Sequence, residues 1–210
     1  MGRILLARHG NTFGPGDTPV WVGAREDLPL VASGEAQATA LGEALVEVGL
    51  IPARIICGPL KRTRRAAEIV AALTGFAGET EIDTRLTEID YGSWGGKSND
   101  EIVAEFGQDA LDCWDKRHTR PDGVDWSPPD AVLKANALAA MSDAAATDGL
   151  ALVITSNGIL RYMHAALEDG GPNAKVKTGH LCGAQFDGQS GRALCWNEAP
   201  TTPVVRRYFS

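Results

Sequence analysis

Two short stretches constrain the fold most: "RILLARHG" at Arg3–Gly10 and "LALVITSNG" at Leu150–Gly158. Each is a brief run of apolar residues that ends abruptly in polar groups and a glycine. A run without polar alternation has no face to give to water, so a strand built from it is buried on both sides. Strands Arg3–Ala7 and Leu150–Thr155 therefore belong to a sheet covered by helices on both faces. The rest of the chain supplies those helices. Gly34–Gly49 reads as one, with Ser33 as its N-cap and Ala38, Leu41, Leu45 and Val48 as its apolar stripe. After a short strand at Arg54–Cys57, Ala66, Ile69, Val70 and Leu73 mark a second helix that Gly75 ends. Ile82–Leu86 reads as a third strand, and helices are expected over Ser98–His118, Pro129–Thr147 and Gly158–Leu167. Leu181–Phe186 and Arg192–Trp196, joined by "DGQSG", read as a hairpin. Nothing is assigned to the tail "APTTPVVRRYFS".

The fold class that follows is α/β: a mainly parallel central sheet, helices on both faces, an antiparallel C-terminal edge hairpin and a helical cap insertion. At 210 residues the chain reads as one domain over 1–210, with the insertion at about 98–130. The formal net charge of −7 argues against nucleic-acid and membrane-surface partners, and an anionic substrate would need a local positive site. Cys57, Cys113, Cys182 and Cys195 stand far apart, without the spacing of a metal centre, and read as reduced thiols. Only four apolar residues separate Arg3 from Arg8, too few for a secretory core, so a cytoplasmic location is expected.

In a sheet of this kind, sites form beyond the carboxyl ends of the strands. Three strand ends carry unusual residues: Arg8-His9-Gly10, the basic run Lys61–Arg65, and Ser156-Asn157-Gly158. Cations in the first turn of a helix oppose its macrodipole, an arrangement that makes sense if one of them holds an anion. Arg8-His9-Gly10 offers an imidazole nucleophile, a guanidinium for a phosphoryl oxygen, and a glycine that permits close backbone approach.

Five segments, in order, resemble the histidine phosphatase superfamily, the phosphoglycerate-mutase-like proteins. They are "LLARHGNT", "DLPLVASGEAQA", "GPLKRTRRAAEI", "LTEIDYGSWGGKS" and "TSNGILR". The resemblance implies that His9 is the nucleophile that becomes phosphohistidine, and that Arg8 and Arg62 bind the phosphoryl oxygens. It implies that Glu88 is the general acid and then the base, with Thr12 and the Gly158 backbone N–H assisting. No cofactor and no metal are implied, and the partner is a small phosphorylated substrate. Related proteins are often dimers, so a homodimer is among the expectations.

One departure bears on rate. Asn157 stands where the family has its second core histidine, and an amide donates a hydrogen bond but never carries charge. His180 and His164 are candidates to compensate. The leading reading is a cofactor-independent phosphomonoesterase. The alternatives are a weak or inactive phosphate-binding pseudoenzyme and a phosphoglycerate-type mutase. Trp21, Arg25 and the insertion residues Trp114, Lys116, Arg117, Arg120 and Trp126 are further candidates for substrate contact.

Overall fold

The computed structural model describes residues 2–169 and 171–209. Ser210, at the end of the unassigned tail, and the two other remaining residues of the 1–210 span lie outside the described residues. The chain runs β1 (Gly2–Arg8), α1 (Ala32–Glu47), β2 (Arg54–Cys57), α2 (Lys61–Thr74) and β3 (Glu81–Ile82). It continues through α3 (Asn99–Phe106), α4 (Gln108–Asp115), α5 (Asp130–Ala145), β4 (Ala151–Thr155) and α6 (Asn157–His164). It closes with β5 (Leu181–Phe186), β6 (Gly191–Glu198) and α7 (Thr202–Phe209).

The strands form one six-stranded sheet in the order β3-β2-β4-β1-β5-β6. β3, β2, β4 and β1 run parallel to one another, while β5 runs antiparallel to β1 and β6 antiparallel to β5. The fold class is thus the one the apolar runs require. Side chains alternate across β1, as the pleat demands. Leu5 and Ala7 join α1, α2 and α7 on one face; Ile4 and Leu6 join α5, α6 and the aromatic residues of 91–126 on the other. All five residues of β4 are buried.

Several local expectations are corrected. The third strand is two residues long, because Asp83 caps a 3-10 turn over Thr84–Leu86 by accepting the Arg85 N–H. The helix expected over Ser98–His118 is two helices, α3 and α4, broken at Gly107. Ser33 does not cap α1: the N-cap is Val31, and the Ser33 hydroxyl accepts a hydrogen bond from Asn11 Nδ2 instead. The tail contains α7, which buries Val205 and Phe209 against the α1–α2 face. Cys182 and Cys195 lie on adjacent strands as buried free thiols, and burial pushes Cys195 up to about 12.

Among the described residues, no helix is long and apolar enough to cross a membrane.

Candidate active site

The register of β1 and β4 determines the centre of the site. Arg8 pairs with Thr155 at the carboxyl ends of the two strands, and the His9 N–H donates to the Thr155 carbonyl at 3.0 Å. The His9 carbonyl in turn accepts from Gly179 N at 3.1 Å. His9 is held on both sides before its ring does anything. Next to it the chain turns so tightly against α1 that a Cβ on Gly10 would lie 2.2 Å from the Gly34 carbonyl oxygen. Only glycine fits there.

His9 is 6% exposed, and its ring Nδ1 lies 2.7 Å from the Gly10 carbonyl oxygen. A carbonyl only accepts, so Nδ1 carries the proton and Nε2 holds the free lone pair. Burial, reinforced by the Arg8 and Arg62 charges, keeps the imidazole well below its ordinary value. His9 is therefore neutral at pH 7.

Two guanidinium groups flank it. Arg62, 1% exposed, gives Nη1 to the Glu26 carbonyl at 2.9 Å and Nη2 to the Gly23 carbonyl at 3.0 Å. Arg8 gives Nη1 to the Val176 carbonyl at 2.6 Å. Both line the cavity, and these contacts use only some of each group's five N–H donors. The other cations of the α2 run serve elsewhere: Lys61 faces Asp27, and Arg65 pairs with Glu35 at 2.6 Å.

Glu88 is 5% exposed. Its Oε1 accepts the Ile89 N–H at 2.9 Å, and its Oε2 accepts the Gly158 N–H at 3.2 Å. Burial raises its carboxyl above the ordinary range, although both N–H bonds and the two arginines pull the other way. The Gly158 N–H, expected to face a phosphate, is thus engaged by Glu88. A Cβ at Gly158 would lie 2.2 Å from Glu88 Oε1 and 2.9 Å from the Tyr91 hydroxyl, so the glycine allows three groups to converge.

Asn157 opens α6 and lines the cavity. Its Oδ1 accepts the Val176 N–H at 2.9 Å. A backbone N–H needs an oxygen to accept it, which settles the amide orientation and leaves Nδ2 as the donor.

Arg8, His9, Thr12, Arg62, Glu88 and Asn157 all line one cavity of about 720 Å³. Neither remaining candidate histidine belongs to its described lining. The His180 ring contacts the Asn197 carbonyl through Nδ1 at 2.9 Å, and His164 packs edge-on to Trp196 with ring centroids 4.7 Å apart. Arg25, Lys116, Arg117 and Arg120 are likewise elsewhere, paired with Asp90, Asp112, Asp109 and Asp130. Trp21 both lines the cavity and anchors its loop, donating from Nε1 to Asn99 Oδ1 at 2.8 Å. Trp126 packs behind Tyr91, Trp94 and Trp114 at centroid separations of 4.9, 5.1 and 5.0 Å. Reasoning from sequence missed Tyr91, Asp115 and Lys175, which also line the cavity. Tyr91, three residues beyond Glu88 in the same motif, was the one with a usable signal. Among the described residues, no group of three or more His, Cys, Asp or Glu is placed to hold a metal ion.

Comparison with known proteins gives the family and the fold. The Histidine phosphatase superfamily (branch 1) matches residues 4–199. The probable phosphoglycerate mutase GpmB of Salmonella arizonae is 34% identical over 105 residues, 50% of this chain and 46% of that protein. The matched region therefore spans about half the length of those curated relatives. Among solved structures, a mycobacterial glucosyl-3-phosphoglycerate phosphatase has a TM-score of 0.75 at 21% identity, covering 95% of this chain and 100% of that one. Bacillus stearothermophilus YhfR has 0.74 at 26% identity, covering 93% and 96%. The Shigella flexneri alpha-ribazole phosphatase has 0.68 at 19% identity, covering 95% and 98%. With the family match running through nearly every element described above, the chain belongs to the histidine phosphatase superfamily, branch 1.

Proposed function

We propose that the chain is a phosphomonoesterase that works through a phosphohistidine on His9. The observation that carries this is the His9 tautomer: Nδ1–H is tied to Gly10, and an unprotonated Nε2 stands beside two guanidinium groups. Nε2 attacks phosphorus, the N–P bond forms and the P–O bond to the leaving group breaks. Arg8, Arg62 and the Asn157 amide hold the phosphoryl oxygens and offset charge spread over the transferring group. Glu88, whose carboxyl burial raises above the ordinary range, gives its proton to the departing alkoxide. The resulting carboxylate then takes a proton from the attacking water, the N–P bond breaks, and inorganic phosphate leaves. Thr12 borders the phosphate, the Gly158 N–H orients Glu88, and the 98–130 segment covers the leaving-group side as a cap. No cofactor takes part.

A neutral amide in place of a charged donor slows this chemistry without removing it. Asn157→Asp tests the assignment. The carboxylate still accepts the Val176 N–H but replaces the Nδ2 donor with a negative charge. Phosphate release is expected to fall by about 10² to 10³, the cost of losing one preorganised donor to a developing anion. An unchanged rate would remove Asn157 from the site.

The name of the GpmB relatives supports a second reading, transfer of a phosphoryl group between positions of a phosphoglycerate. A panel of phosphate esters that includes the phosphoglycerates separates the two. Release of inorganic phosphate without positional transfer is expected; positional transfer with little release would establish the mutase, and neither would favour a binding protein.

A further inference from the structure

Asp115, the last residue of α4, carries one negative charge and faces two cations. Arg161 Nη2 lies 3.5 Å from its Oδ1, and Lys175 Nζ lies 3.2 Å from both carboxylate oxygens. The two cations differ in freedom. The Arg161 side chain is only 2% exposed; it donates from Nη1 to the Trp114 carbonyl, and its guanidinium stacks 4.6 Å from the Trp114 ring. The Lys175 side chain is 48% exposed and rotates about four carbon atoms. If Lys175 leaves, Asp115 keeps a counter-ion; if Arg161 leaves, a buried charge loses its partner. Lys175 is the releasable member.

Its anchor, by contrast, is fixed beside the anion site. Lys175 precedes Val176, whose N–H is held by Asn157 Oδ1 and whose carbonyl is held by Arg8 Nη1. Two residues of the proposed phosphate site, Asn157 and Arg8, therefore grip the peptide next to Lys175. Lys175 and Asp115 line the same cavity as His9 and Arg62. Lys175 also joins Arg8 and Thr178 in lining an adjoining recess of about 360 Å³. With His9 and Asn157 both uncharged, a phosphate dianion meets formal positive charge from only Arg8 and Arg62 within the set placed around it.

We infer that Lys175 is a third phosphoryl-binding cation, which exchanges Asp115 for the phosphoryl oxygens when a phosphate dianion binds. This rests on the reading of Arg8, His9 and Arg62 as the phosphate site. Arg161 holds Asp115 in place during the exchange.

Inorganic phosphate, which has no leaving group, is the discriminating probe. Titration calorimetry on the full chain is expected to show about a tenfold weaker Kd in Lys175→Met, the scale of one charge-assisted hydrogen bond at a half-exposed site. Lys175→Arg retains affinity to within about threefold, because the charge and donors remain. Asp115→Asn removes the competing partner and tightens phosphate binding. In turnover, Lys175→Met lowers kcat/KM by the same factor on an aryl phosphate and on bulkier alkyl esters. Equal weakening by Lys175→Met and Asp115→Asn would mean that the pair is a structural strap, and would overturn the inference. An unchanged phosphate Kd in Lys175→Met, with losses confined to bulky esters, would place Lys175 on the leaving group and also overturn it. Failure of the wild type to bind phosphate at all would instead remove the phosphate site itself, and the inference with it.

Discussion

His9→Ala is expected to lower phosphate release by on the order of 10⁴ or more, the scale seen when a covalent nucleophile is deleted. Neither candidate histidine is placed to substitute. His180 and His164 are engaged with Asn197 and Trp196, and the neutral Nε2 of His9 owes its lone pair to the Gly10 contact of its own ring. The loss should fall on kcat, not on anion binding. Arg8 and Arg62 are oriented by the Val176, Glu26 and Gly23 carbonyls, none of which involves the His9 ring. Inorganic phosphate should therefore bind His9→Ala within a few-fold of wild type. A variant that retains a tenth of the wild-type rate would mean that another group attacks phosphorus.

Glu88→Gln carries the second large effect, and its size depends on the substrate. For an alkyl ester, whose leaving group needs a proton, kcat is expected to fall by about 10² to 10⁴. For an aryl ester with an acidic leaving group, the loss should be much smaller, because little proton transfer is required. Equal losses on the two esters would show that Glu88 only shapes the cavity. The same residue governs the pH profile. On the proposed mechanism, the reactive form of the free enzyme needs His9 neutral and Glu88 protonated. His9 lies well below its ordinary value, so kcat/KM falls on the acid side only below the usual histidine range. Glu88 is raised, so activity is lost on the alkaline side as pH climbs through that raised value. In Glu88→Gln the alkaline limb should disappear.

Stability should move the other way. A carboxyl whose folded value is raised binds more protons folded than unfolded, so its contribution declines as pH rises through that window. Above that window the ionised Glu88 is a buried charge, partly offset by the Ile89 and Gly158 N–H groups. Glu88→Gln, which never ionises, should therefore lose this pH dependence of the unfolding temperature while losing activity.

The sheet was readable because β1 and β4 are apolar on both faces, and only a central position between helices buries such strands. The ends of those strands then bring Arg8, His9 and Asn157 together, and the helix after β2 brings Arg62. What escaped depended on contacts distant in sequence. The run at 82–86 looks extended, but the Asp83 side chain takes the Arg85 N–H and closes a turn. The Val205 and Phe209 spacing marks one face of a helix, but a two-turn segment after Pro203 has little propensity apart from the surface it covers. Lys175 lies in an irregular loop whose path is set by Arg8 and Asn157 gripping Val176. No local pattern announces that. Gly158 presents an N–H at a helix start, but the acceptor it meets is Glu88.

The central claim concerns a covalent bond, so trapping that bond tests it most directly. Wild-type protein, mixed with a phosphate ester and quenched in base within milliseconds, should carry one phosphoryl group that is stable in base and labile in acid. Fragment mass spectrometry should place it on His9, and His9→Ala should carry none. Phosphate release without a trappable phosphohistidine, or with the phosphoryl group on another residue, would contradict the account.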